Sequence, residues 1–403
     1  MKTIVRRALF AALVLAAMAL SSCAEGPTGI FASVAAETPV NKNMTPAIEY
    51  ASPTFVARLG TTWYSGMGVL WQKADGATQW TKASVSLPGI SASDTLFADS
   101  GAVVSGTPDT LYVAFRDVTL ANSPSLGVYS TADGTTWTQV EATFPVATEY
   151  LRSIMVANGQ LFAVTTNVRA DSATAAAYSI YYLSGTFQSA GIVADTTIGV
   201  PTSVAWDGTN YIFTAGDSLI TGTASLLSVL PTTTGIAYSG VCSDGSTGII
   251  ISSRNGYLYR STDSGATLSL PAGPFKNSLG KTYSFSAPTY IGAAPDPILV
   301  VGTNRIPRTS SDIPPAGGYL EFDATNFATT FASSTPTTDH GLTASAVNFD
   351  TSLDARSVSG MPMFDTGGGT FKLFAMTDGY GLWSDTYSGT TDHANGWDWW
   401  VRE

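Results

Sequence analysis

The stretch Ser261-Thr262-Asp263-Ser264-Gly265-Ala266-Thr267 crowds hydroxyls around one carboxylate and one glycine. Such a set could ligate a metal or move a proton. It could equally close a tight turn: an aspartate accepts from nearby backbone N–H groups, and glycine takes conformations that a Cβ hinders. The two histidines pose a similar choice. His340 and His393 end the identical tetrapeptides Thr337-Thr338-Asp339-His340 and Thr390-Thr391-Asp392-His393. A pair of metal ligands assisted by Asp339 and Asp392 is one reading. Zinc takes three or four such ligands, and the sequence offers no third histidine, so a duplicated inter-strand loop is the simpler one. Aspartate and backbone oxygens could hold calcium, but no loop motif marks such a site. No metal or cofactor is therefore expected.

Other chemistries find less support. Glycoside hydrolysis needs two carboxylates about 5–10 Å apart, and no spacing singles out a pair. After the first 45 residues the glutamates are Glu49, Glu141, Glu149, Glu321 and Glu403. Neither a Ser-His-Asp context nor a nucleotide loop is present. Cys242, in "SGVCSDGS", reads as a small residue beside a strand rather than a nucleophile.

The elements that would position these residues repeat along the chain. A short apolar strand, a glycine-containing turn and a second strand recur at 61–83, 110–140, 159–187, 210–229, 247–270, 297–327 and 371–403. Seven units over residues 46–403 average about 51 residues each, a normal length for a four-stranded blade with its loops. A ring protects sheet edges that an open stack would expose. The expected fold is all-β: a β-propeller of seven four-stranded antiparallel blades, with six or eight left open by the weak third and fourth units. Trp397, Trp399 and Trp400 are expected to close the ring, the last strand pairing with the first blade.

Two of the turns align: Ser130-Thr131-Ala132-Asp133-Gly134-Thr135-Thr136-Trp137 and Ser261 to Leu268. Residues 73–80 and 376–383 are degenerate echoes. These segments resemble the Asp-boxes, or BNR repeats, of sialidases, sortilin-type receptors, some glycoside hydrolases and photosystem assembly factors. The resemblance implies structural roles for Ser130, Asp133, Gly134, Trp137, Ser261, Asp263, Gly265 and Thr267, on the blade periphery and away from an axial pocket. "NRIPR" at 304–308 looks like the sialidase Arg-Ile-Pro motif, whose arginine grips a substrate carboxylate. Arg305, however, follows the boxes instead of preceding them. Arg305, His340 and His393 are the candidate ligand contacts.

The first residues address the compartment. Lys2, Arg6 and Arg7 precede the apolar run Ala8–Leu20, too short for a membrane span and suited to an export signal. Leu20-Ser21-Ser22-Cys23 resembles the bacterial lipobox, which implies a signal peptide over 1–22 and lipid on Cys23. Residues 23–45 read as a tether and 46–403 as the propeller. Loss of residues 1–22 takes the formal net charge from −11 to −14, which disfavours nucleic acid. With Cys23 acylated, Cys242 has no disulfide partner. Ala24 after the lipid cysteine favours the outer membrane under a common sorting rule. The expectation is a monomeric, lipid-anchored envelope protein that binds a protein or glycan without catalysis. The alternatives are a carbohydrate-active enzyme using the axial pocket and an envelope assembly factor.

Overall fold

The computed structural model describes residues 51–403 except 89, 91–95, 119–124, 142–148, 168–175, 192–197, 231–234, 270, 277–281, 293–296, 304–317, 326, 328–356 and 388–400. Cys23, Arg305, His340, His393 and the tryptophans at 397, 399 and 400 lie outside the described residues.

All regular structure among the described residues is β, in seven antiparallel sheets that follow one another along the chain and form a seven-bladed β-propeller. Sheets 1 to 4 run in strand order over 55–82, 96–141, 150–189 and 201–229. Sheets 5 and 6 (238–261 and 285–323) show three strands each among the described residues. A bridge from Leu258 to Ala272 marks the fourth position of sheet 5. Sheet 7 (358–402) has five strands, all from its own stretch of chain.

The second strand of each sheet explains why the repeat could be seen. Tyr211–Ala215, Ile249–Ser253 and Ile298–Thr303 are buried at every position. A strand covered on both faces reads as a continuous apolar run. Its side chains feed clusters that lie between neighbouring sheets. Phe115 and Trp137 of sheet 2 pack with Tyr64 and Leu70 of sheet 1, and Phe162 of sheet 3 with Phe213 of sheet 4. Burying one such ring contributes about 1.5–3 kcal/mol.

First strands join sheet to sheet through hydroxyls. Thr54 Oγ1 donates to Ala98 O (3.0 Å), and Ser100 Oγ accepts from Ile154 N (3.0 Å). Ser203 Oγ donates to Val241 O (2.9 Å), and Thr289 Oγ1 to Met361 O (2.7 Å). From the second strand of sheet 5, Ser252 Oγ reaches Ser286 O (2.7 Å). The Ser/Thr-rich composition thus supplies the links between blades.

Closure departs from the sequence expectation. The last strand, Val401–Arg402, pairs with Leu382–Tyr387 inside sheet 7, not with the first blade. Gly381 N donates to Ala51 O (2.9 Å) across the seam between sheets 7 and 1, and side chains fill it. Trp63 packs on Phe364 and Phe374, each 5.1 Å away between ring centroids. The Glu403 carboxylate is 2% exposed and lies between Lys73 and Lys372, accepting also from Trp80 Nε1 (3.0 Å) and Ser384 Oγ. Burial opposes its charge, but the two ammonium groups and the hydrogen bonds outweigh it and hold its pKa at about 2.

Candidate functional site

The two aligned turns connect the third strand of a sheet to the polypeptide beyond it. In sheet 2, Asp133 Oδ1 accepts from Thr135 N (2.8 Å) and Thr136 N (2.7 Å). The hydroxyl that completes this turn belongs to Thr131, not Ser130: its Oγ1 donates to Asp133 Oδ1 (3.0 Å) and accepts from Gly134 N (2.9 Å). Ser130 itself sits in the ladder, paired with Tyr112 and Thr138. In sheet 5, Asp263 Oδ1 accepts from Ser261 Oγ (2.7 Å) and Thr267 N (2.8 Å), while Ser261 Oγ accepts from Gly265 N (2.9 Å). The inserted residue is absorbed by two successive left-handed conformations, Ser264 (φ 58°) and Gly265 (φ 88°). Backbone donors push both carboxyls below the usual carboxylate range.

Each turn also docks on the preceding sheet. A Cβ on Gly134 (φ 75°) would meet Tyr64 Oη of sheet 1 at 1.9 Å. Ser264 Oγ donates to Asp207 Oδ2 of sheet 4 (2.5 Å) and accepts from Asn210 Nδ2 (3.0 Å). Of the echoes, residues 73–80 occupy the same place in sheet 1, but Asp75 receives Trp63 Nε1 and Arg58, and Lys73 stands where Thr131 and Ser261 stand. Residues 376–383 join the second and third strands of sheet 7, so that echo is a different turn.

Around the axis the first strands carry a feature that the sequence pattern did not announce. Their pairing with the second strands slips at Asp99, Arg152, Thr202, Ser239, Ser286-Ala287 and Ser359. Each slip is a bulge, which frees a residue from the ladder and re-aims its side chain. Sheet 1 places Thr54 at the same station, bonded to Gly66 O through both N (2.8 Å) and Oγ1 (3.1 Å). Among these bulge residues only Asp99 is a carboxylate. Arg116 grips it with Nε (2.9 Å) and Nη2 (3.1 Å). The ring is otherwise hydroxylic apart from Ala287 and one exposed cation, Arg152. Among the described residues this ring of bulges holds no pair of free acids.

Two further carboxylates serve the fold. Glu149 accepts from Thr165, Ser179 and Tyr181 (2.8 Å for the phenol), and Asp207 caps its own turn through Thr209 N and Asn210 N. No group of three or more His, Cys, Asp or Glu able to hold a metal occurs among the described residues. Cys242 is half-buried, and burial followed by the neighbouring Asp244 pushes its thiol far up, away from thiolate chemistry.

A cavity of about 450 Å³ opens between sheets 4 and 5. The segment after Asp263, Gly265–Ser269, forms one wall; Leu219, Leu230, Ile236, Tyr238 and Tyr259 form the others, and Asp217 joins them as an exposed carboxylate. The turn expected on the blade periphery therefore borders this recess. All three exposed large hydrophobic residues among those described, Val200, Leu226 and Val229, belong to or flank sheet 4, and none of them lines the cavity.

No family model matches the chain, and no curated protein matches it. Solved structures do. YCF48 bound to D1 peptide shares 14% identity at a TM-score of 0.52, over 83% of this chain and 92% of that one. YCF48 from Cyanidioschyzon merolae shares 13% at 0.53, over 84% and 96%. An ancestral GH74 enzyme shares 10% at 0.56, over 88% of this chain and 47% of its own, so this chain spans about half that enzyme's length. At these identities the likeness is one of fold, and the chain is a seven-bladed β-propeller.

Proposed function

We propose that this protein is a non-enzymatic binding propeller whose ligand is a polypeptide, held at the bacterial envelope by lipid on Cys23. The observation that carries the reading is the recess between sheets 4 and 5, with apolar walls, two tyrosine rings and one carboxylate. A recess with apolar walls and a few convergent polar groups is a mark of binding sites. The similar fold of YCF48, seen with a D1 peptide, supports the class of ligand. The hydroxylic axial ring, with its single acid tied to Arg116, supports binding over catalysis.

Selection of a displayed random peptide library on the full chain tests the ligand class. Recurrent peptides should emerge whose binding falls when Ile236, in the wall of the recess, is changed to lysine. Failure to retain any peptide, together with retention of a defined sugar on a glycan array, would overturn the reading. For the anchor, labelled palmitate should enter the wild-type chain in a bacterial host and not the Cys23→Ser variant. Equal labelling of both would remove Cys23 as the acylation site.

A further inference from the structure

We infer that the cavity between sheets 4 and 5 receives a lysine or arginine side chain of the bound polypeptide. This deepens the polypeptide-binding reading and rests on it. Three features converge on an amphipathic cation. Leu219, Leu230 and Ile236 provide apolar wall, which suits a methylene stem. Tyr238 and Tyr259 form a corner, their ring centroids 6.3 Å apart and their planes 76° from parallel, so a cation between them meets ring π-surface. Among the described residues Asp217 is the one charged residue that lines the cavity, and it is exposed, with Ser218 Oγ against Oδ1 at 3.3 Å.

Tyr259 lines the cavity and carries a phenol O–H, a donor for an acceptor that a ligand brings. Burial, with a smaller contribution from Tyr257, raises its pKa, so it stays a donor. A peptide carbonyl next to a basic residue would meet that donor while the side chain entered the corner. The acidic balance of the chain, −11, favours the approach of a basic segment.

The test uses the full chain and three fluorescently labelled pentapeptides, Gly-Ala-Xaa-Ala-Gly, in which Xaa is lysine, norleucine or glutamate. By anisotropy the lysine peptide should bind about tenfold more tightly than the norleucine peptide and the glutamate peptide most weakly. Asp217→Asn should erase most of the lysine preference and leave norleucine binding in place. Tyr259→Leu should weaken both, and raising salt should narrow the lysine advantage. Equal binding of lysine and norleucine peptides, or a lysine preference that survives Asp217→Asn, would overturn the inference. Library-selected peptides that bind the propeller but ignore Asp217→Asn and Tyr259→Leu would sink this site while leaving the polypeptide reading standing.

Discussion

At the scale of single residues, the two acidic turns turn hydroxyls and carboxylates into backbone acceptors. Asp133 and Asp263 are exposed, so their value lies in local geometry rather than in buried charge. Gly134 is the more demanding position. It holds φ at 75°, and its missing Cβ leaves room for Tyr64 Oη of the neighbouring sheet. Gly134→Ala should therefore cost about 2 kcal/mol through left-handed strain and the displaced tyrosine. Asp263→Ala, which removes acceptors from a solvated turn, should cost about 1 kcal/mol. Urea midpoints at neutral pH check both; an alanine at 134 with the wild-type midpoint would mean that the turn does not dock as described.

At the scale of elements, the seam between sheets 7 and 1 depends on one buried carboxylate. Removing a member of a buried pair leaves an uncompensated charge, and the loss can reach about 3 kcal/mol. Glu403→Gln should approach that value. Lys73→Met should cost less, because Lys372 stays 3.1 Å from Glu403 Oε1. The double variant should be more stable than the sum of the two single losses implies, which a double-mutant cycle measures. Removing residues 396–403 should lower Tm beyond Glu403→Gln, because the last strand of sheet 7 goes too; an unchanged Tm would refute the role of this segment in closure.

The same scale shows what could be read from sequence. Strands such as Tyr211–Ala215 and Ile298–Thr303 were visible because burial on both faces demands an unbroken apolar run. The first strands were not. Pro201–Trp206 and Tyr238–Ser243 interrupt their alternation at the bulge, and their hydroxyls answer to a neighbouring sheet that local sequence does not display. The cavity was hidden for a related reason. Asp217, Tyr238 and Tyr259 come from two different sheets and share no motif.

At the scale of the whole molecule, stability should fall in acid. The Glu403 carboxyl is depressed to about 2 when folded, against an ordinary value near 4.5. A depressed acid contributes stability that is fully present above its unfolded pKa and is lost as pH falls through the folded one. The Asp133 and Asp263 carboxyls are depressed as well and act in the same sense. Unfolding free energy should therefore drop between about pH 4.5 and pH 2 and be flatter above. Glu403→Gln should reduce that slope, and an identical slope would remove Glu403 from the acid response.

Closure of the ring without a shared strand has a consequence for how such a chain can change over generations. Among the described residues every sheet draws its strands from one continuous stretch, and the seventh borrows none from the first. Neighbours meet through hydroxyls, rings and ion pairs rather than through a strand held in common. A segment encoding one sheet is thus a block that duplication could add or deletion remove without leaving a half-built ladder behind. Propellers of another blade number are reachable from this one by whole-unit steps, each asking only that two new flanks fit.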